Sequence, residues 1–123
     1  MILHVVFYQP KASATEAERQ ALVSSLTAAC LEIPSIKQVR VGKAVDLGMG
    51  YENRSQASNM DYVATFEFID QESLKAYLGH EKHQMLAKMF WSVCESTMIV
   101  DVDAVDPRDE GAIDVIGQTI DNK

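Results

Sequence analysis

The chain has 123 residues, of which 47% are hydrophobic and 24% are charged, a balance typical of one globular domain with a buried core. Its formal net charge of −7 excludes the basic surface that nucleic-acid binding requires, and it argues equally against binding to an anionic membrane. Residues 101–123 hold seven acidic and two basic residues, a net charge of −5, so most of the acidity belongs to the C-terminal end.

The two cysteines, Cys30 and Cys94, fall in segments with helical patterns, and neither has a histidine at helical spacing to activate a thiolate. We therefore expect both to be packing residues. No signal peptide is visible, and no apolar run approaches the roughly 18 residues of a membrane span. These features predict a cytoplasmic location with reduced thiols.

The first third of the chain predicts a strand, a helix and a second strand. Residues 2–9 are β-branched and aromatic with apolar side chains on both alternating faces, which is typical of a strand covered on both sides. Thr15 and Glu18 have the spacing of a capping box at a helix start. A second strand is predicted over residues 36–43. The helix between the strands ends before Pro34, and its apolar stripe consists of Leu22, Leu26, Ala29 and Ile33.

The rest of the chain begins with a long connection. Residues 44–60 are rich in glycine, asparagine and serine, which is typical of a flap, a binding loop or a disordered segment. Gly79 separates two predicted helices further on. In chain order, the predicted elements are a strand over 62–69, a short helix over 70–78, a longer helix over 81–94 and a strand over 97–102.

The element order β-α-β-β-α-β predicts an α+β fold, the ferredoxin-like sandwich, in which two helices cover one face of a four-stranded antiparallel sheet. Three strands have apolar residues on both faces, so exposing the face that the helices do not cover would be unfavourable. The simplest cover is the sheet of a second copy in a homodimer. We assign residues 1–103 to this domain and residues 104–123 to an acidic extension. The extension is either a frayed tail or a short helix laid on the partner, with Ile113, Ile116 and Ile120 at helical spacing.

The candidate catalytic residues are a phenol and two imidazoles. Tyr77, His80 and His83 lie within seven residues at the junction of two predicted helices, and the third histidine, His4, lies on the first strand. Histidines that titrate near neutral pH can move protons without a cofactor. The structural alternatives are a core His4 that is hydrogen-bonded to a carbonyl or carboxylate, and a Tyr77 that packs its ring on Leu74.

The sequence offers little support for a metal or a cofactor. His80 and His83 have a spacing that suits two zinc ligands, but the pair straddles the predicted helix start and only Glu81 or Glu67 could supply a third ligand. We expect His80 to cap the helix or to lie at an interface. No glycine-rich phosphate loop, nucleophile elbow or flavin motif is present. Any catalysis is therefore expected to be of the acid–base kind.

Several segments resemble the stress-responsive α/β-barrel domain family (Dabb), which is related to the dimeric ferredoxin-like antibiotic monooxygenases. The resemblance covers about residues 1–103. It implies a homodimer in which two sheets close into one barrel, with a hydrophobic cleft between each sheet and its own helices. The segments that carry it are residues 4–7, 33–36, 41–43, 62–68 and, most specifically, 77–84.

The resemblance also implies possible roles. Some plant members of the family resemble general stress proteins, and one branch cyclises polyketides through an aldol reaction without a cofactor. The working residues of that branch correspond here to His4, Tyr77 and His83. A further histidine of the branch is replaced by Tyr62, a departure that argues against polyketide cyclisation.

Two hypotheses from different classes follow. The first is a homodimer that binds a small hydrophobic molecule or serves in stress protection. The second is a cofactor-independent enzyme acting on a carbonyl substrate, cyclase-like or monooxygenase-like, with His83 as base, Tyr77 orienting it or stabilising an oxyanion, and His4 holding the carbonyl. The second requires His4 and His83 to face one cleft, within about 10 Å of each other. The candidate ligand-binding residues are Tyr62, Phe66, Met85, Met89 and Phe90.

Overall fold

A computed structural model describes residues 1–51 and 60–115. The predicted element order is confirmed, with the largest shift at the last strand, which begins three residues earlier than expected. Cys94 therefore opens a strand instead of ending a helix. The elements are β1 (Ile2–Pro10), α1 (Glu16–Glu32), β2 (Gln38–Lys43), β3 (Tyr62–Phe68), α2 (Gln71–Gly79), α3 (Glu81–Val93), β4 (Cys94–Asp103) and a short α4 (Ala112–Val115).

The four strands form one antiparallel sheet in the order β2-β3-β1-β4, with β1 and β3 inside. This is the ferredoxin-like α+β fold that the element order predicts. Register decides which side chains become neighbours. His4 of β1 lies opposite Phe66 of β3 and opposite Asp101 of β4, so these three side chains project from one face of the sheet.

Local sequence signals set the helix ends. Thr15 caps α1, and its side chain and that of Glu18 each accept a hydrogen bond from the other's backbone amide, so the capping box is confirmed. His80 lies between α2 and α3 and caps both, and its Nδ1 accepts a hydrogen bond of 3.0 Å from the Lys82 amide. Because this cap fixes the junction, it also fixes where α3 places His83.

The core lies between the helices and one face of the sheet, where Phe66, Phe68 and Tyr77 are almost fully buried. The other face is exposed along β4, where Met98 and Val100 are 47% and 39% exposed. Val5 and Val100, opposite each other in the register, show that this face is apolar along β1 and β4. The sequence-based expectation of two apolar faces therefore holds for these strands. The residues of the uncovered apolar half are Leu3, Val5, Phe7, Met98, Val100 and Val102.

Two predicted segments are described only in part. Residues 44–51 of the long connection contain Gly48 and Gly50 with φ of 68° and 90°, backbone angles that glycine adopts without strain. Residues 52–59 lie outside the described residues. The C-terminal extension forms α4, where Ala112 is buried, and residues 116–123 also lie outside the described part. Among the described residues, no helix is long and apolar enough to cross a membrane.

Candidate functional site

A cleft of about 360 Å³ opens between the helix-covered face of the sheet and the helices. β1 contributes His4, Val6 and Tyr8 to its floor, because alternate residues of a strand face the same side. The polar side chains of the lining gather near His4, where His83 and Asp101 also reach the cleft. The remaining walls are largely apolar and include Leu22, Leu26, Ala64, Leu86, Ala87 and Ile99.

His4 is paired with a carboxylate. Its Nδ1 lies 2.5 Å from Oδ1 of Asp101, and the His4 side chain is only 8% exposed. A carboxylate accepts hydrogen bonds, so Nδ1 carries the proton that is donated to Asp101 and Nε2 remains as the second polar atom of the ring. The pair holds the imidazole in one orientation. This is the carboxylate-satisfied histidine considered from the sequence, now located at the edge of a cleft.

Tyr77 lies in the wall of the cleft between the two histidines. Its side chain is almost completely buried, and its ring centroid lies 5.8 Å from that of His4 and 4.6 Å from that of His83. Burial raises the pKa of Tyr77, and the nearby Cys30 thiol raises it further. The phenol therefore stays protonated at neutral pH. The ring contacts place Tyr77 in the aromatic core, in the same buried cluster as Leu74.

His83 has an unusual environment for an imidazole. Its Nδ1 is buried and has no hydrogen-bond partner among the described residues. Burial lowers the pKa of His83 and the neighbouring His4 lowers it further, while the Leu78 carbonyl acts in the opposite direction. His83 is therefore neutral at pH 7, with an unsatisfied nitrogen in the cleft wall.

The predicted catalytic residues thus come together. His4, Tyr77 and His83 all line the cleft. Because Tyr77 contacts both rings at the distances given above, the two imidazole centroids are at most about 10 Å apart. This satisfies the geometric requirement of the enzyme hypothesis without assigning a reaction. His80 is instead the helix cap described above, and no group of three metal-ligating side chains occurs in the described part of the chain.

The predicted ligand-binding residues divide into two groups. Phe66 and Phe90 line the cleft, whereas Tyr62, Met85 and Met89 do not. Tyr62 stacks on Tyr8, with ring centroids 5.6 Å apart, and Met85 faces outward with 58% of its surface exposed. The methionines were predicted from helical spacing, which cannot tell a face that lines a cleft from one beside it.

Sequence reasoning missed Asp101 and Trp91 in the cleft lining. Asp101 could have been found by aligning β1 with β4 as antiparallel neighbours, since an acidic residue within an otherwise apolar strand requires a polar partner. Trp91 is the single tryptophan of the chain and is 57% exposed. No pattern in the sequence distinguishes Trp91 from an ordinary surface residue.

Comparisons with known proteins identify the family and the fold. Residues 2–104 match the family model of the stress responsive A/B barrel domain. No curated protein matches the sequence. Because the solved structures below are all under 25% identical to this chain, their likeness shows the fold alone.

Three solved structures illustrate the likeness. An Arabidopsis thaliana protein has a TM-score of 0.70 at 16% identity, covering 86% of this chain and 97% of its own. The hydroxynitrile lyase from Passiflora edulis has a TM-score of 0.71 at 14% identity, covering 86% and 96%. A dimeric ferredoxin-like protein of unknown function from Thermobifida fusca has a TM-score of 0.64 at 18% identity, covering 84% and 90%.

Proposed function

This chain belongs to the stress responsive A/B barrel domain family, and from that premise we propose that it is a homodimer that binds one small, mostly apolar molecule in the cleft of each subunit. The observation that carries the proposal is the cleft itself. Its volume of about 360 Å³ lies in the range of small-molecule sites, and its apolar walls with polar groups near His4 have the usual composition of such sites.

The polar groups favour an uncharged ligand. No lysine or arginine lines the cleft among the described residues, and Asp101 already occupies the Nδ1 proton of His4. An anionic head group would find no free cation, and a cationic one would bring its charge into largely apolar walls at a high desolvation cost. A hydroxyl group can instead donate to Nε2 of His4, and the ring N–H of a neutral His83 can donate to a carbonyl or hydroxyl oxygen.

The dimer proposal is supported by the uncovered sheet face and by neighbours that are described as dimeric. A face with Met98 and Val100 in water is unfavourable, and the equivalent face of a second copy would cover it. A two-fold arrangement of this kind leaves the helices and their cleft on the outside of each sheet.

The ligand proposal can be tested with a panel of neutral ketones, aromatic aldehydes and alcohols, together with matched carboxylates and amines. Because Trp91 is the only tryptophan and lines the cleft, its fluorescence reports occupancy directly. We expect neutral members to change this fluorescence and to raise the melting temperature, since a ligand that binds only the folded state stabilises it.

A matched pair of variants gives the control. Ala87→Phe fills the cleft from α3 and should weaken binding at least about tenfold, whereas Ala76→Phe, on an exposed position of α2 outside the cleft, should bind like the wild type. Equal affinity in the two variants, or no response to any member of the panel, would exclude this cleft as a binding site.

Acid–base catalysis on a carbonyl compound is a second candidate, favoured by the neutral His83, whose Nδ1 has no hydrogen-bond partner among the described residues. A general base must be neutral at working pH and near the substrate, and His83 meets the first condition because burial lowers its pKa. Asp101 would fix the orientation of the His4 ring beside the substrate, and protonated Tyr77 would restrain both imidazole rings.

The enzyme candidate predicts turnover of hydroxynitriles, suggested by the name of one structural neighbour, or of linear polyketones. The rate should be constant near pH 7 and fall only below pH 6.5, the ordinary histidine value, because a base with a lowered pKa keeps its neutral form there. His83→Gln should reduce the rate at least about 100-fold while still changing Trp91 fluorescence on binding. Ligand binding without turnover in the wild type would leave only the binding function.

A further inference from the structure

The cleft has a polar end and an aromatic end. His4 and His83 lie at the polar end, where both rings contact Tyr77. Three further aromatic side chains line the cleft, and the ring of one of them contacts the rings of the other two. We call these three residues the aromatic corner: Tyr8, Phe90 and Trp91.

Two elements fix the distance between the ends. On β1, His4 and Tyr8 face the same side and are four residues apart, which separates them by about 13 Å. On α3, His83 and Phe90 are seven residues apart, about 10 Å along the helix axis. Because Tyr8 also contacts Phe90, the two elements reach the same end. The lining between the ends includes short aliphatic side chains, those of Val6, Ala64 and Ala87.

The ring angles make the aromatic corner selective. Phe90 is nearly perpendicular to both neighbours, at 72° to Tyr8 and 78° to Trp91, with centroids 5.6 and 5.4 Å apart. A planar ring that enters a corner between perpendicular rings stacks on one and meets the other edge-on, and both are favoured aromatic geometries. A saturated group of the same size gains only burial. Since Trp91 is 57% exposed, an entering ring also removes apolar surface from water.

We propose that the ligand is an aryl-alkyl ketone or alcohol, with its aromatic ring in the aromatic corner and its oxygen beside His4 and His83. The inference rests on the proposed function, because it names the class of ligand for the same cleft. An alkyl tether has to join the two groups, since the ends are about 10 Å apart. A compact aromatic carbonyl, with its ring attached directly to the carbonyl carbon, reaches only one end.

The charges of the lining favour a neutral ring over an organic cation. Aromatic side chains also attract cations such as a quaternary ammonium group. Among the described residues, however, Asp101 is the single acidic side chain of the lining, and it is paired with His4 at the polar end. A cation in the aromatic corner would therefore lose hydration without a nearby counter-charge.

A matched set of ketones tests the inference. The probes are 6-phenylhexan-2-one, 6-cyclohexylhexan-2-one and acetophenone, and isothermal titration calorimetry measures affinity without using Trp91 as a reporter. Burial alone favours the cyclohexyl ketone, because its ring carries more hydrogen and more apolar surface. We expect the phenyl ketone to bind more tightly, by roughly two- to tenfold, because only its ring gains aromatic contacts. Acetophenone should bind more weakly than either.

Two neighbouring positions of β1 provide the matched variants. Tyr8→Leu removes a ring of the aromatic corner, whereas Phe7→Leu removes a ring on the opposite face of the sheet, outside the cleft lining. The ratio of phenyl to cyclohexyl affinity should fall to about one or below in Tyr8→Leu and stay at the wild-type value in Phe7→Leu. Phe90→Leu repeats the test from α3. Because the ratio is measured within each variant, a general loss of stability does not change its meaning.

The outcomes separate this inference from the function on which it rests. If none of these ketones and no member of the neutral panel binds, the binding function itself is wrong. If ketones bind but the cyclohexyl compound equals or exceeds the phenyl compound in the wild type, the inference alone is wrong. A ratio that persists in both Tyr8→Leu and Phe90→Leu would also overturn it. So would tighter binding of the same ketone with trimethylammonium in place of phenyl, because the rings would then select a cation.

Discussion

At the scale of single residues, the site depends on one pairing across two strands. His4 is almost fully buried, and its Nδ1 proton has Asp101 as partner because β1 and β4 are in register at these positions. A buried donor without a partner costs more than the bond itself contributes. The carboxylate therefore both stabilises the fold and determines how the imidazole is presented to the cleft.

Asp101→Ala removes the partner and leaves the His4 donor in a largely apolar environment. We expect the free energy of unfolding to fall by about 1–3 kcal/mol, the usual penalty for such an orphaned group. Urea unfolding, at one protein concentration for all variants, would measure the change.

Asp103→Ala is the matched control on the same strand. Its carboxylate is 66% exposed and lies 3.8 Å from the N-terminal amine, so we expect a change within about 0.5 kcal/mol. Equal losses in the two variants would mean that the His4 pairing contributes nothing beyond an exposed ion pair.

At the scale of the elements, helix caps and helix-breaking residues position the side chains of the candidate site. The α2–α3 junction is an example: Gly79 ends one helix, and His80 caps the next through its contact with the Lys82 amide. Because His83 is in the first turn of α3, its place beside Tyr77 follows from this junction. His80, which the sequence analysis expects to cap the helix or to lie at an interface, is the cap and thus positions His83.

The strand that differed most from expectation is β4. Its first residue is Cys94, because the chain passes from α3 into the sheet without a connecting loop. Helical periodicity runs to Val93, and residues 94–97 contain no glycine or proline that would mark the end of a helix, so the sequence gives no clear boundary there. The pairing with β1, a tertiary contact, decides where the strand begins.

At the scale of the whole molecule, the two faces of the sheet have different roles. The helix-covered face holds the core and the cleft, and the other is apolar along β1 and β4 and exposes Met98, Val100 and Val102. Toward β2 the uncovered face becomes polar, with Gln38 between Arg40 and Glu67. A copy that covers the apolar half is therefore expected to pack β1 and β4 at the centre of the interface.

Val100→Glu tests this assembly. The substitution places a carboxylate in the middle of the apolar half, opposite Val5, where covering it would require the loss of its hydration. Light scattering at micromolar concentration should give twice the chain mass of 13.7 kDa for the wild type and close to one chain mass for the variant.

Val23→Glu is the control for that change, since Val23 is an exposed valine of α1 on the helix layer and away from the uncovered sheet face. It should leave the mass at two chains. A wild-type mass of one chain would contradict the dimer, and a dimer that survives Val100→Glu would place the interface elsewhere.

The sequence by itself determined the element order, the α1 capping box, the helix break at Gly79 and the two apolar faces of β1 and β4, because these depend on local periodicity and on residues with strong backbone preferences. It also selected His4, Tyr77 and His83. Only the tertiary structure decided that these three share one cleft, that Asp101 completes it, and that Met85, Met89 and Tyr62 lie outside it. Strand register and helix packing join residues about 100 positions apart, and no local pattern encodes which side chains they bring together.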